Sequence, residues 1–126
     1  MKLRRQQVEA FSEAAAKSFE DRMVDHVGRF FPDDCERLGE RVRQEVRYGI
    51  ERAESYGLRS RRDICKFLDV MFAFGRDFET KRKFRWADEI LHDPAVVDPA
   101  VRAGRLLDEA QMNYDNRPSM RRKWKG

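Results

Sequence analysis

The chain has 126 residues, of which 40% are charged and 40% hydrophobic, a split that suits amphipathic helices with ionised outer faces and argues against long bilayer-spanning runs. At this length one domain with one core is expected. The net charge of +4 is unevenly placed: Arg117, Arg121, Arg122, Lys123 and Lys125 follow the last acidic residue, Asp115, leaving 22 basic against 23 acidic groups over residues 1–116.

Residues 2 to about 30 carry Val8, Phe11, Ala15, Phe19, Met23, Val27 and Phe30 at spacings of three and four, which predicts one long helix. Phe31-Pro32 ends it, because the residue before proline is pushed out of the helical region. Asp33 or Asp34 then offers a cap for a second helix with Cys35, Leu38, Val42, Val46, Ile50, Ala53 and Tyr56 on one face. Gly39 and Gly49 lie inside that span and suggest a close helix crossing. Gly57-Leu58 reads as a left-handed C-terminal cap with its hydrophobic contact.

The third predicted helix, residues 60–75, is the centre of the design. Ser60 is placed to cap it, with Asp63 in the first turn. Ile64, Cys65, Phe67, Leu68, Val70, Met71, Phe72, Ala73 and Phe74 follow, and Arg62, Lys66, Asp69 and Arg76 form a single polar stripe. A helix this apolar must be enclosed by others. Gly75 to Phe78 closes it, with Phe78 turned back onto the core.

A fourth helix is expected from Thr80 to about His92, with Phe84, Ala87, Ile90 and Leu91 inward and Trp86 on a flank. Asp93-Pro94 stops it, and Asp98-Pro99 announces a fifth, with Val101, Leu106, Leu107, Ala110 and Tyr114 on its apolar side. No stretch alternates with period two. The expected fold is therefore an all-α single-domain bundle of about five helices over residues 1–116, followed by a flexible basic tail, residues 117–126.

Chemistry is sparse along the chain. His26 and His92 are the only histidines, and neither has a histidine or cysteine at the sequence spacing of a metal site, so no metal and no cofactor is expected. Glu20-Asp21, Asp33-Asp34 and Asp88-Glu89 are neighbouring carboxylates, but adjacent residues on a helix point in different directions. Cys35 and Cys65 sit at apolar helical positions and read as reduced thiols of a cytosolic protein. No apolar stretch follows Lys2, Arg4 and Arg5, so no signal peptide is expected. No phosphate loop or nucleophile elbow is present, and no enzyme is expected.

Two stretches could bind something. Phe67, Phe72, Phe74, Phe78, Phe84 and Trp86 crowd into twenty residues, and a surplus at one end of the central helix would make an apolar patch rimmed by Arg76, Arg82 and Arg85. The expected partner-binding set is Arg76, Phe78, Arg82, Phe84, Arg85 and Trp86. The tail, Arg117, Arg121, Arg122, Lys123, Trp124 and Lys125, could dock on an acidic protein or, less in keeping with the rest, on nucleic acid.

Gly49-Ile50-Glu51-Arg52-Ala53-Glu54-Ser55-Tyr56-Gly57-Leu58, Ser60-Arg61-Arg62-Asp63 and Met71 to Phe78 resemble segments of a set of small helical proteins encoded beside type VI secretion spike and effector genes in proteobacteria. Arg4-Arg5-Gln6-Gln7 with Phe11, Phe30-Phe31-Pro32, and Trp86-Ala87 with Ile90-Leu91 and Asp93-Pro94 extend the resemblance over roughly residues 3 to 110. It implies a cytoplasmic, non-enzymatic adaptor or co-chaperone whose partner is a secreted effector, a spike-tip protein or an effector-loading adaptor. An immunity protein that neutralises the effector is the alternative. No site residues are carried over from the resemblance, and the tail falls outside it.

Overall fold

The computed structural model describes the backbone of residues 5–115 and the side chains of residues 13–115. Among these, the chain forms six α-helices and no strand: α1 (Arg5–Phe30), α2 (Pro32–Leu38), α3 (Val42–Ser55), α4 (Arg61–Phe74), α5 (Arg85–Leu91) and α6 (Pro99–Asp115). It is an all-α single domain. None of these helices is long and apolar enough to cross a membrane.

The central helix is where the apolar run placed it. Ser60 caps α4 by accepting a hydrogen bond from the Asp63 amide at 3.1 Å. Gly75, at φ 107, stops it. Asp63, Ile64, Phe67, Leu68, Val70, Met71, Phe72, Ala73 and Phe74 are all buried, each large apolar side chain contributing about 1.5–3 kcal/mol of gross transfer free energy. α6 packs most extensively on this helix, α3 next, and α1 covers a third side. Gly49 permits the α3 crossing, since a Cβ there would lie 2.8 Å from Met71 Cε and nearer still to Leu68 Cδ2.

Two helix ends follow the sequence closely. At the end of α3 the Leu58 amide bonds to the Ala53 carbonyl at 3.1 Å and the Gly57 amide to Glu54 at 2.9 Å, with Gly57 at φ 84 and Leu58 fully enclosed. Asp98 accepts from the Ala100 amide at 3.0 Å, with Pro99 opening α6.

Other boundaries differ. The second predicted helix breaks into α2 and α3, joined by a 3-10 turn over Gly39–Arg41, because Gly39 adopts φ 58. Pro32 itself opens α2, so Asp33 and Asp34 lie in its first turn and Phe31 occupies the cap without a side-chain bond. The fourth helix starts at Arg85, not Thr80. Before it come two 3-10 turns, Phe78–Thr80 and Arg82–Phe84, separated by the extended Lys81 at ψ 136. Glu79 pins this corner: Arg52 Nη2 and Tyr56 Oη both donate to its Oε2, at 2.6 and 2.8 Å, and burial with this bond pushes the Tyr56 hydroxyl pKa up. On α6, Val101 is exposed, and Ala103, Leu106, Ala110 and Tyr114 make the buried face. The predicted tail, residues 117–126, lies outside the described residues.

Polar contacts tie α1 to α3. Glu20 accepts from Arg43 Nη1 at 2.9 Å and from Arg47 Nη2 at 2.9 Å, and Arg43 also reaches Asp21 at 2.8 Å. Arg47, chiefly, and Arg43 hold the Glu20 carboxyl below its ordinary value of 4.5. A carboxylate with a depressed folded-state pKa adds stability above its unfolded pKa, and that stability is lost as pH falls through the folded one. Urea midpoints followed from about pH 7 to about pH 2 should fall more shallowly in Glu20→Gln than in the parent chain. Superimposable curves would show that this clamp adds nothing.

Candidate functional site

The residues expected to bind a partner separate into two groups. Phe78 is fully enclosed against Phe67, ring centroids 5.4 Å apart, and Phe84 is 1% exposed with its ring edge-on to Phe74 at 4.9 Å. Neither offers surface to a partner, which corrects the expectation of an aromatic patch. The physical reason is that the two 3-10 turns fold both phenylalanines back onto α4, Phe78 against Phe67 and Phe84 against Phe74. Trp86 is half-buried, edge-on to Phe74 at 5.5 Å, and its indole Nε1 is buried without a hydrogen-bond partner.

The arginines remain at the surface. Arg76 stacks its guanidinium 3.8 Å above the Tyr48 ring and approaches Glu45 at 3.5 Å. The Tyr48 hydroxyl donates to Asp77, and that bond pushes its pKa up. Arg82 and Arg85 are exposed beside Lys81 and Lys83, and Arg85 reaches Glu89 at 3.4 Å. Glu79, Thr80, Lys81, Arg82, Arg85 and Asp88 line a shallow hollow there. The four cations stand over a buried base, with Lys83 above the Phe84 ring at 5.1 Å and Phe84 packed edge-on to Phe74. The tail set Arg117, Arg121, Arg122, Lys123, Trp124 and Lys125 falls outside the described residues.

A second constellation joins α1 to α4. Cys65 and Asp69 are four apart on α4 and so share a face, and His26 comes from the last two turns of α1. His26 Nε2 lies 2.6 Å from Asp69 Oδ1 and 3.6 Å from Cys65 Sγ. Its ring packs on Phe30 with centroids 4.7 Å apart. The Asp69 bond, chiefly, and the Cys65 contact push the His26 pKa up to about 10 against the opposing effect of burial, so the imidazole is cationic in the ion-free chain at neutral pH. His26 is 22% exposed at its side chain and Asp69 15%. The polar stripe expected along α4 is thus partly covered, with Asp69 tucked under α1.

These three residues do not have the arrangement of a nucleophilic triad. In that design the carboxylate orients the imidazole through one ring nitrogen and leaves the other for the nucleophile. Here sulfur and carboxylate meet the same nitrogen. What they do form is a convergent set of one sulfur, one nitrogen and one oxygen, all within 4.8 Å of one another. Reading along the chain misses it because His26 lies 39 positions from Cys65 and 43 from Asp69. The available signal was the register of His26, three residues after Met23 and four before Phe30 on the apolar side of α1.

Elsewhere, Cys35 is a free half-buried thiol whose pKa is raised by burial and by Asp34. His92 is exposed at the C-cap of α5 and pairs with Asp88 of that helix at 3.0 Å.

Because Phe78 is core and Arg82 is surface, truncating them should have different consequences. Phe78→Ala should cost about 3–5 kcal/mol in urea unfolding, and Arg82→Ala should stay within about 0.5 kcal/mol of the parent. Equal midpoints for the two variants would contradict the enclosure of Phe78.

No protein-family model matches the chain, and neither a curated protein nor a solved structure is significantly similar to it.

Proposed function

We propose that this chain is a non-enzymatic protein-binding module of the bacterial cytoplasm, an adaptor or co-chaperone. Its partner is a type VI secretion effector, a spike-tip protein or the adaptor that loads one onto the other, as the resemblance of residues 3 to 110 implies. The observation that carries the binding reading is the corner at Lys81, Arg82, Lys83 and Arg85, where four exposed cations in five residues flank the half-buried Trp86. A surface of this kind fits an acidic partner face with an apolar spot for the indole edge.

The corner is suited to binding because it is already ordered. Phe78 and Phe84 anchor it from below, and Glu79 ties it to α3 through Arg52. Docking a preorganised surface loses less conformational entropy than ordering a loop on contact. Electrostatic attraction then speeds encounter and fades as salt screens it.

The test is co-expression with the neighbouring effector and loading adaptor, followed by tag purification at low and high salt. Capture should weaken with salt and fall by about tenfold or more in the double variant Arg82→Glu/Arg85→Glu, with unchanged thermal stability. Recovery of the bait alone would overturn the proposal. Protection of a cell that expresses the toxic effector would replace loading with neutralisation. Co-purifying nucleic acid, released steeply by salt, would replace a protein partner altogether.

A further inference from the structure

His26, Cys65 and Asp69 bring together three different ligand atoms at one point between two helices, an arrangement the packing of the core alone does not require. We propose that they form a binding site for one zinc-class divalent ion, which clips the C-terminal part of α1 to the central helix and leaves one coordination position open. This inference is independent of the partner-binding reading above.

The donor set fits that ion. A cysteine sulfur with an imidazole selects zinc-class metals over magnesium or calcium, which prefer oxygen ligands throughout. Tetrahedral zinc, with bonds of about 2.3 Å to sulfur and about 2.0 Å to nitrogen, sets sulfur and nitrogen about 3.5 Å apart. The observed separation of Cys65 Sγ from His26 Nε2 is 3.6 Å. Nitrogen and oxygen ligands would stand about 3.3 Å apart, against the observed 2.6 Å between His26 Nε2 and Asp69 Oδ1. Binding the ion therefore requires the Asp69 carboxylate to move away from His26 Nε2.

The scaffold suits the role as well. Cys65 and Asp69 project from one face of the most enclosed helix in the fold, so their spacing is held by the core. His26 sits between the buried Met23 and Val27 and against Phe30, which fixes its ring over that face. All three residues are half-buried, so the cluster lies at the edge of the core and not inside it. Three protein ligands with one open position is the pattern of reactive rather than closed structural zinc sites. On binding, the ion takes the places of the Nε2 and thiol protons, which pass to solvent, and two anionic ligands balance its charge.

The experiment titrates Zn2+ into the full chain after chelator treatment, by calorimetry, with Co2+ as a spectroscopic probe. One ion per chain should bind with a dissociation constant of roughly micromolar or below. His26→Gln and Cys65→Ser should each weaken it by about 100-fold or more, and Cys35→Ser and His92→Gln should leave it unchanged. Co2+ in the parent chain should give intense tetrahedral visible bands and a thiolate charge-transfer band, a readout that holds even if a ligand variant fails to fold. Absence of saturable binding, full binding by His26→Gln, or a weak octahedral cobalt spectrum without the thiolate band would overturn the site and leave a simple imidazolium–carboxylate pair.

Discussion

The burial of α4 is the constraint on which the other elements depend. Nine of its fourteen residues are buried, so it has no stable existence in water and must be enclosed on several sides at once. α6, α3 and α1 do this, and their buried residues include Ala103 and Ala110 on α6, Gly49 and Ala53 on α3, and Met23 and Val27 on α1. The small residues allow close approach, and the large side chains of α4 fill the space they leave.

Both features of functional interest are consequences of that enclosure. At its C-terminal end, α4 delivers Phe74 to a cluster with Phe84, Trp86 and Tyr114, and this cluster supports the cationic corner from Lys81 to Arg85. Along its side, the face that carries Cys65 and Asp69 meets α1, which brings in His26. A polar group on a helix otherwise surrounded by apolar contacts needs partners, and Asp69 finds one only because α1 lies over it.

Much of the fold was legible in the residues. Ser60, Gly57, Gly75 and Asp98-Pro99 act at helix ends through local geometry that a short segment already contains. The enclosure of α4 followed from its composition. The misreadings have tertiary causes. A glycine tolerated at Gly49, where α3 needs closeness to α4, and a glycine that leaves the helix at Gly39 look alike in a one-dimensional pattern. Lys81 carries no breaker residue to announce its extended conformation, which follows from Glu79 being held by Arg52 and Tyr56 from another helix. Arg76, Arg82 and Arg85 are exposed, which is the default for arginine. Phe78 and Phe84 are buried, as the turn back onto the core and the inward face predict, and only their reading as part of a partner patch fails, because a count of aromatics does not say which of them the core absorbs. The histidine, cysteine and aspartate cluster leaves only one local trace, the register of His26 on the apolar side of α1.

The most direct measurement of the account is native-state hydrogen exchange across the whole chain. Amides of residues 64 to 74 should exchange only through global unfolding and be the slowest in the protein, with the corner around Lys81 to Arg85 opening locally at lower free energy. Exchange in α4 as fast as in that corner, or faster than in α3 and α6, would contradict the claim that this helix holds the rest together.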